Sequence, residues 1–520
     1  MSTLLIQKFA HPGRGGNRLL HFPPGGGAVS MPGRKGKPME FAKITTSVVL
    51  AAIALTACSK PATPKPDVII LHSGRIRGNV YPVGLQDISP LQYYPYLAGY
   101  IRKVREEAKT SGAEVFVVDL GDSLGGSFAA HVTGSQNMTA FFNAAGYDAI
   151  MLSNLDASVP ETAIQALQCR VLSPFHSPAG SPPMPPAGVR LNKRDTTLFL
   201  LSNFYGNTDP SSQPGRFPTG FGKVNEGVSP VRDYSGVLKS LGPKPENSLT
   251  VFGWMKFEPT DNPPESLLSN LRQWGVDAVL AHRIYGSRER EAWPANGFVD
   301  WNPPVSLNIL RNNGGFALAR LDLARAGSGW KVLRHELVPM TANNTPADEK
   351  AVAAIDKFTD AIRAADSPLC DLADPVGADR ILEIYMTALT TVSGTGAVAC
   401  SEESIRSDWR AGTLRASQVF NSLPWSTGLV QMNLSPGQLR SLADTKIFRV
   451  AKRTAEEGPV LLTTSRFLGQ LIAKQPQMQG VEIVELPGTS EFDLFWGYLK
   501  ANPRAVVSGL APGWSILGTQ

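Results

Sequence analysis

Four apolar runs in this 520-residue chain end in residues that can do chemistry. "DVIILHS" runs through Gly74 into Arg75 and Arg77, "EVFVVDLGD" ends on Asp122, "YDAIMLSN" ends on Asn154, and "VDAVLAH" ends on His282. In open α/β sheets, ligands gather where strands finish. Aspartate, asparagine and histidine at successive strand ends make a metal-ligand set of oxygen and nitrogen donors, suited to a divalent ion such as manganese or zinc. Arg75 and Arg77 bring the opposite chemistry, because guanidiniums pair with carboxylates and oxyanions and repel cations. Alternate residues of an extended segment share a face, so the pattern predicts that both arginines reach Asp122.

The elements that must position these residues follow from hydrophobic periodicity. From Asp67 onward, strand-length apolar runs, including "TLFLLSNF" and "LTVFGWM", alternate with helical patterns. "YYPYLAGYIRKVREEAKTSGA" is amphipathic at helical spacing and closes at Gly112. Such alternation predicts a sheet covered on both faces. Residues 206–247, rich in Pro, Gly and Ser, read as an insertion or long loop. Residues 347–366 read as one connector helix, with a second unit from about Pro368. A chain of this length, 42% hydrophobic and 18% charged, buries large cores and divides into two domains.

The formal charge of +6 owes much to Arg14, Arg18, Arg34, Lys35, Lys37 and Lys43, which precede a short apolar stretch. The remainder is close to neutral, so charge gives no argument for a nucleic-acid partner. The stretch "TTSVVLAAIALTACSK" is too short to span a bilayer and suits the apolar core of a signal peptide. It ends in Leu55-Thr56-Ala57-Cys58, which resembles a bacterial lipobox with Cys58 as the lipidated residue. The Pro/Lys segment that follows suits a tether holding a domain off a membrane. The expected division is a leader and lipoprotein signal over 1–58, with 1–38 as an upstream extension, a tether over 59–66, and folded units thereafter. Ser59 after the lipid cysteine favours the outer membrane by analogy with sorting rules, with the protein facing the periplasm. Three further cysteines lack any CxxC pairing; Cys370 and Cys400 form a disulfide or remain free thiols.

The blocks "ILHSGRIRG", "GDSLGGS" and "GYDAIMLSNLDAS" together resemble the exported 5′-nucleotidase family, with its patterns "ILHTNDxHG", "GDxxxGS" and "GYDAmxxGNHEFD". The resemblance spans about 67–500. It implies a metallophosphoesterase-type four-layer α/β sandwich over 67–345, a connector helix over 346–367, and a smaller α+β 5′-nucleotidase C-terminal-like domain over 368–520. It implies that Asp122 and Asn154 match a metal-bridging aspartate and an asparagine ligand. Arg75 and Arg77 stand where the family places an aspartate and a histidine ligand, Leu155 replaces the histidine of "GNHE", and Asp156 takes the glutamate's place. His282 registers with either of two late histidine blocks of the family. Two-metal catalysis clamps the attacking and leaving oxygens between ions about 4 Å apart. Asp122, Asn154 and His282 are too few for two ions and suffice for one at most.

In the second unit, "SIRSDWRAGTLRASQVFNSLPW" and "GLVQMNLSPGQL" resemble the family's substrate-binding domain. The resemblance implies that Arg406 holds a nucleotide, with Arg410 joining it if the segment is helical, while Glu403 and Ser404 replace paired glycines. Phe467 matches a tyrosine position and reads as core; Trp425 reads as domain packing. Three readings remain: a structural ion pair capping a dead site, a pocket for phosphate, sulfate or a nucleotide-like anion with no cofactor, or a hydrolase of nucleotides or of the thiosulfate pathway with a reduced metal site.

Overall fold

The structure is a computed structural model. It describes residues 64–82, 84–85, 88, 94–153, 156, 159–176, 185–203, 229–231, 233–254, 265–284, 298–300, 303–310, 317–340, 345–401, 404–423, 428–445, 448–453, 458–506 and 514–517. The segments expected to be a leader and a lipobox, with Cys58, lie outside them, as do Asn154, Leu155 and Trp425.

The six apolar runs all form strands. The first sheet begins with β1 (Val68–Ser73), β2 (Glu114–Asp119), β3 (Ala149–Met151) and β4 (Arg170–Leu172), paired in parallel. The second contains β5 (Gly188–Asn192), β6 (Thr197–Asn203), β7 (Ser248–Trp254), β8 (Ala278–Ile284), β9 (Phe298–Val299) and β10 (Val305–Leu310). A long hairpin, β11 (Ala317–Ala326) and β12 (Gly329–Pro339), then returns to pair antiparallel with β1. The strand orders are β12-β11-β1-β2-β3-β4 and β9-β10-β8-β7-β6-β5.

These two sheets face each other across Val68, Ile70, Phe116, Val118, Leu200, Leu249, Val251 and Leu280. Gly253 marks a close approach: an added Cβ would lie 1.9 Å from the Met151 Cε, so the Met151 side chain would have to move. The other face of the first sheet is covered by α1 (Tyr94–Ser111), α3 (Gln136–Ala145) and α4 (Glu349–Asp356), while the short α2 (Phe128–Thr133) packs in another core. Leu97, Ile101, Val104 and Ala108 of α1 recur at helical spacing on its buried face. Gly112, at a φ of 84°, closes the helix as its position after the periodic run requires. Tyr234 and Leu271 pack against Phe252, Trp254 and Val279 on the far side of the second sheet. Helices, sheet, sheet, helices: the four-layer expectation holds.

The expected single connector helix is two helices. α4 ends at Asp356, and α5 (Thr359–Ala365) begins after Phe358, which turns inward onto another core. Residues 229–247, read as loop, contain the short strand Ser229–Pro230 and the helix Ser235–Ser240, anchored by the buried Tyr234.

The remaining chain builds a third sheet flanked by helices. Its elements are α6 (Ala378–Ser393), β13 (Ala397–Ser401), α7 (Ala416–Ser422), β14 (Gly428–Leu434), α8 (Pro436–Asp444), β15 (Phe448–Arg453), β16 (Val460–Ser465), α9 (Arg466–Ala473), β17 (Val484–Ser490), α10 (Glu491–Ala501) and β18 (Trp514–Leu517). The order is β17-β14-β16-β13-β15-β18. One face packs on α6 and α10, the other on α8 and α9. Cys370 and Cys400 are free, the second of the two alternatives left open by the sequence. Cys400 is buried in the core beside Glu491, and burial pushes its thiol well up.

The core on the α6/α10 face also takes in Tyr81, Leu85, Phe128 and Ala129 from the first half of the chain. Phe128 of α2 meets Phe420 and Phe492 edge-on, with ring centroids 6.0 and 6.4 Å apart. Phe128→Ala is expected to lower the unfolding free energy by about 3–5 kcal/mol, measured by urea denaturation of the full chain.

Candidate functional site

Arg75, Arg77 and Asp122 meet where β1 and β2 end. Arg75 Nε lies 3.0 Å from Asp122 Oδ2, and Arg77 Nε lies 3.4 Å from the same oxygen. Arg77 donates a long hydrogen bond there. Arg75 is close enough for strong Coulomb attraction, but its N–H is not aligned for a hydrogen bond. The Arg75 and Asp122 side chains are 3% and 2% exposed, so this attraction is little screened; Arg77, at 46%, faces solvent.

The arginines converge on Asp122 as expected, but not by lying on an extended segment. Arg75 and Arg77 have φ of 55° and 51°, and Asp122 has 58°. Ser135 is the only other non-glycine residue at positive φ among the described residues. The left-handed region costs an L-residue about 1–2 kcal/mol. Hydrogen bonds between the two loops hold them there. Arg75 N–H donates to Gly121 O at 2.8 Å, Arg77 N–H to Asp122 O at 3.1 Å, and Gly78 N–H to Ser123 O at 2.8 Å. Ile76 between the arginines is fully buried and pins the turn.

Asp156 organises the other side of the Asp122 loop. Its carboxylate accepts hydrogen bonds from the backbone N–H groups of Asp122, Ser123, Leu124 and Ser153, at 2.8 to 3.0 Å. Burial and the Asp122 charge push its pKa up, while these donors pull it down. Asp119 ties the two strand ends together, accepting from Ser73 Oγ at 2.6 Å and Gly121 N–H at 2.8 Å. Ser73 Oγ also shares a hydrogen bond with the Tyr147 hydroxyl at 2.8 Å. Burial raises the Asp119 pKa to about 7 despite these hydrogen bonds.

His282, on β8 of the facing sheet, is fully buried against Gly74, where an added Cβ would lie 2.5 Å from the ring Cδ2. Neither ring nitrogen has a hydrogen-bond partner among the described residues. Burial, then the nearby His72 and the Arg77 charge, push its pKa down to about 3, so the ring is neutral at physiological pH. His72, on β1, bonds Ser306 Oγ at 2.9 Å across the sandwich.

Arg75, Arg77, Asp122 and His282 are thus brought to one corner. The helical pairing of Arg406 and Arg410 is not found. Residues 405–408 are irregular, Trp409 forms an isolated bridge to Val376, and both arginines are exposed. The Arg406 N–H donates to Ser422 O at 2.8 Å, which holds the segment open. Phe467, expected in the core, is 57% exposed near the start of α9. Asp156 was legible only as a replaced glutamate, and the roles of Asp119, Ser73 and His72 were missed. The one local signal was polar residues at positions 72, 73 and 119 within otherwise apolar strands.

No family model matches the chain, and no curated protein matches it by sequence. Among solved structures, a 5′-nucleotidase of Candida albicans aligns at a TM-score of 0.57 with 10% identity, over 85% of this chain and 99% of that one. A 5′-nucleotidase precursor of Thermus thermophilus aligns at 0.55 with 15% identity, over 84% and 96%. The sulfate thiohydrolase SoxB of Thermus thermophilus aligns at 0.55 with 14% identity, over 85% and 95%. The chain has the 5′-nucleotidase fold. At these identities the likeness is one of architecture.

Of the ligands implied by the sequence resemblance, Asp122 and His282 are described and Asn154 is not. Among the described residues, no three His, Cys, Asp or Glu side chains come together to hold an ion. Asp122, the carboxylate that would bridge two ions, already faces two guanidiniums.

Asp119→Asn tests the buried anchor. A carboxyl whose folded pKa is raised to about 7 contributes stability below its unfolded pKa of 3.8 that is lost as pH rises through 7. The amide does not titrate, so the melting temperature of Asp119→Asn minus that of the parent should increase from pH 4 to pH 8. A difference that stays flat would contradict the buried, protonated carboxyl.

Proposed function

We propose that this chain is an exported, lipid-anchored protein that uses the 5′-nucleotidase fold to hold an anionic ligand, phosphate-like or nucleotide-like, and has lost two-metal hydrolysis. The observation that carries this reading is Arg75 Nε at 3.0 Å and Arg77 Nε at 3.4 Å from the one oxygen of Asp122. A divalent ion placed there would face two fixed positive charges, a repulsion of several kcal/mol at close range. It would also have to displace a buried ion pair whose rupture costs about 3–5 kcal/mol. Guanidiniums are suited to the planar, bidentate recognition of phosphate and carboxylate oxygens.

The lipobox ending at Cys58 supports anchoring through lipid at the periplasmic face of a membrane. No helix among the described residues is long and apolar enough to cross a bilayer.

Metal analysis and a phosphatase assay on the purified full chain test the reading. The expected result is less than one equivalent of manganese or zinc and no release of phosphate from nucleoside monophosphates with either ion added. Two bound ions together with turnover would overturn it.

A further inference from the structure

We infer that Arg75, Arg77 and His282 form a metal-independent site for a phosphate-type oxyanion; this deepens the anion-binding reading and rests on it. Among the described residues, polar atoms of two side chains at this corner lack a hydrogen-bond partner: Arg75 Nη1, and the ring nitrogens of His282, one of which carries the N–H. Buried groups left unmatched are destabilising and rare in native structures, so each needs an explanation.

The groups lie side by side. The His282 ring fills the space beside Gly74, which immediately precedes Arg75 in the chain. Arg77 is near enough for its charge to act on His282, and its half-exposed guanidinium marks the solvent side. Two guanidiniums, Arg75 and Arg77, face the single Asp122 carboxylate, with Asp156 close enough for the Asp122 charge to act on it. The Asp156 carboxylate does not compete, because four backbone N–H groups already surround it.

A tetrahedral oxyanion supplies acceptor oxygens in several directions, which matches donors arriving from two guanidiniums and an imidazole N–H. The left-handed backbone at Arg75 and Arg77 aims both side chains before any ligand arrives. Strain of this kind is characteristic of pre-organised ligand clamps. The same phosphate chemistry comes from the free inorganic ion or from the terminal group of a nucleoside monophosphate.

Isothermal titration of the full chain in EDTA, at matched ionic strength in sodium chloride, tests the site with inorganic phosphate and with AMP. Saturable binding of one phosphate per chain is expected. Arg77→Gln, at a half-exposed position, should keep the melting temperature and weaken binding about tenfold or more. His282→Asn should weaken it as well. Competition by AMP assigns the terminal phosphate group as the shared ligand, and phosphate binding without competition assigns the free ion. Absence of saturable phosphate binding at millimolar concentrations overturns the inference, as does affinity unchanged in Arg77→Gln. A metal-free, catalytically inert chain that binds no phosphate removes this inference alone. Bound metals with turnover remove the reading beneath it.

Discussion

Asp122 places one oxygen against two guanidiniums, in a corner where its own side chain is 2% exposed. Charges this poorly solvated are not interchangeable with their surroundings. The carboxylate needs the cations to offset its desolvation. Arg75 is bound into the arrangement more firmly than Arg77, being buried, and the two divide the work accordingly. One neutralises the interior; the other presents charge to solvent.

The corner is held in place by groups buried behind it. Asp156 gathers the N–H groups of residues 122–124 and 153, and Asp119 joins the ends of β1 and β2 through Ser73 and Gly121. A buried carboxylate with four backbone donors is difficult to replace, because any neutral side chain leaves donors unmet. From Asp122 the chain runs directly into α2, whose Phe128 is embedded among Phe420 and Phe492. The site loop is therefore braced at both ends, by carboxylate hydrogen bonds within the sandwich and by aromatic packing against the third sheet.

The strands were legible in the sequence because a run such as "VIILHS" is apolar throughout, and continuous apolar runs of strand length separated by helical patterns have few other solutions. The long helix over Tyr94–Ser111 was legible for the same reason, with Gly112 as its stop. The break at Phe358 was not, since mixed charge and helical periodicity run straight through it; only the distant core to which Phe358 turns ends the first helix. Likewise, the helical spacing of Arg406 and Arg410 was real in sequence but irrelevant in space. Trp409 between them is drawn into the core and bridges Val376.

The sequence by itself determined that two arginines stand at the end of the first strand and one aspartate at the end of the second, so that fixed positive charge meets a carboxylate there. Composition and periodicity are local properties, so they survive translation into strands and helices. What only the tertiary structure decided was how those side chains meet. The left-handed turn at Arg75 and Arg77 exists because backbone groups about 45 residues apart in the chain hydrogen-bond to one another. His282 reaches the same corner because two sheets pack face to face, with no side chain at Gly74 to keep it away.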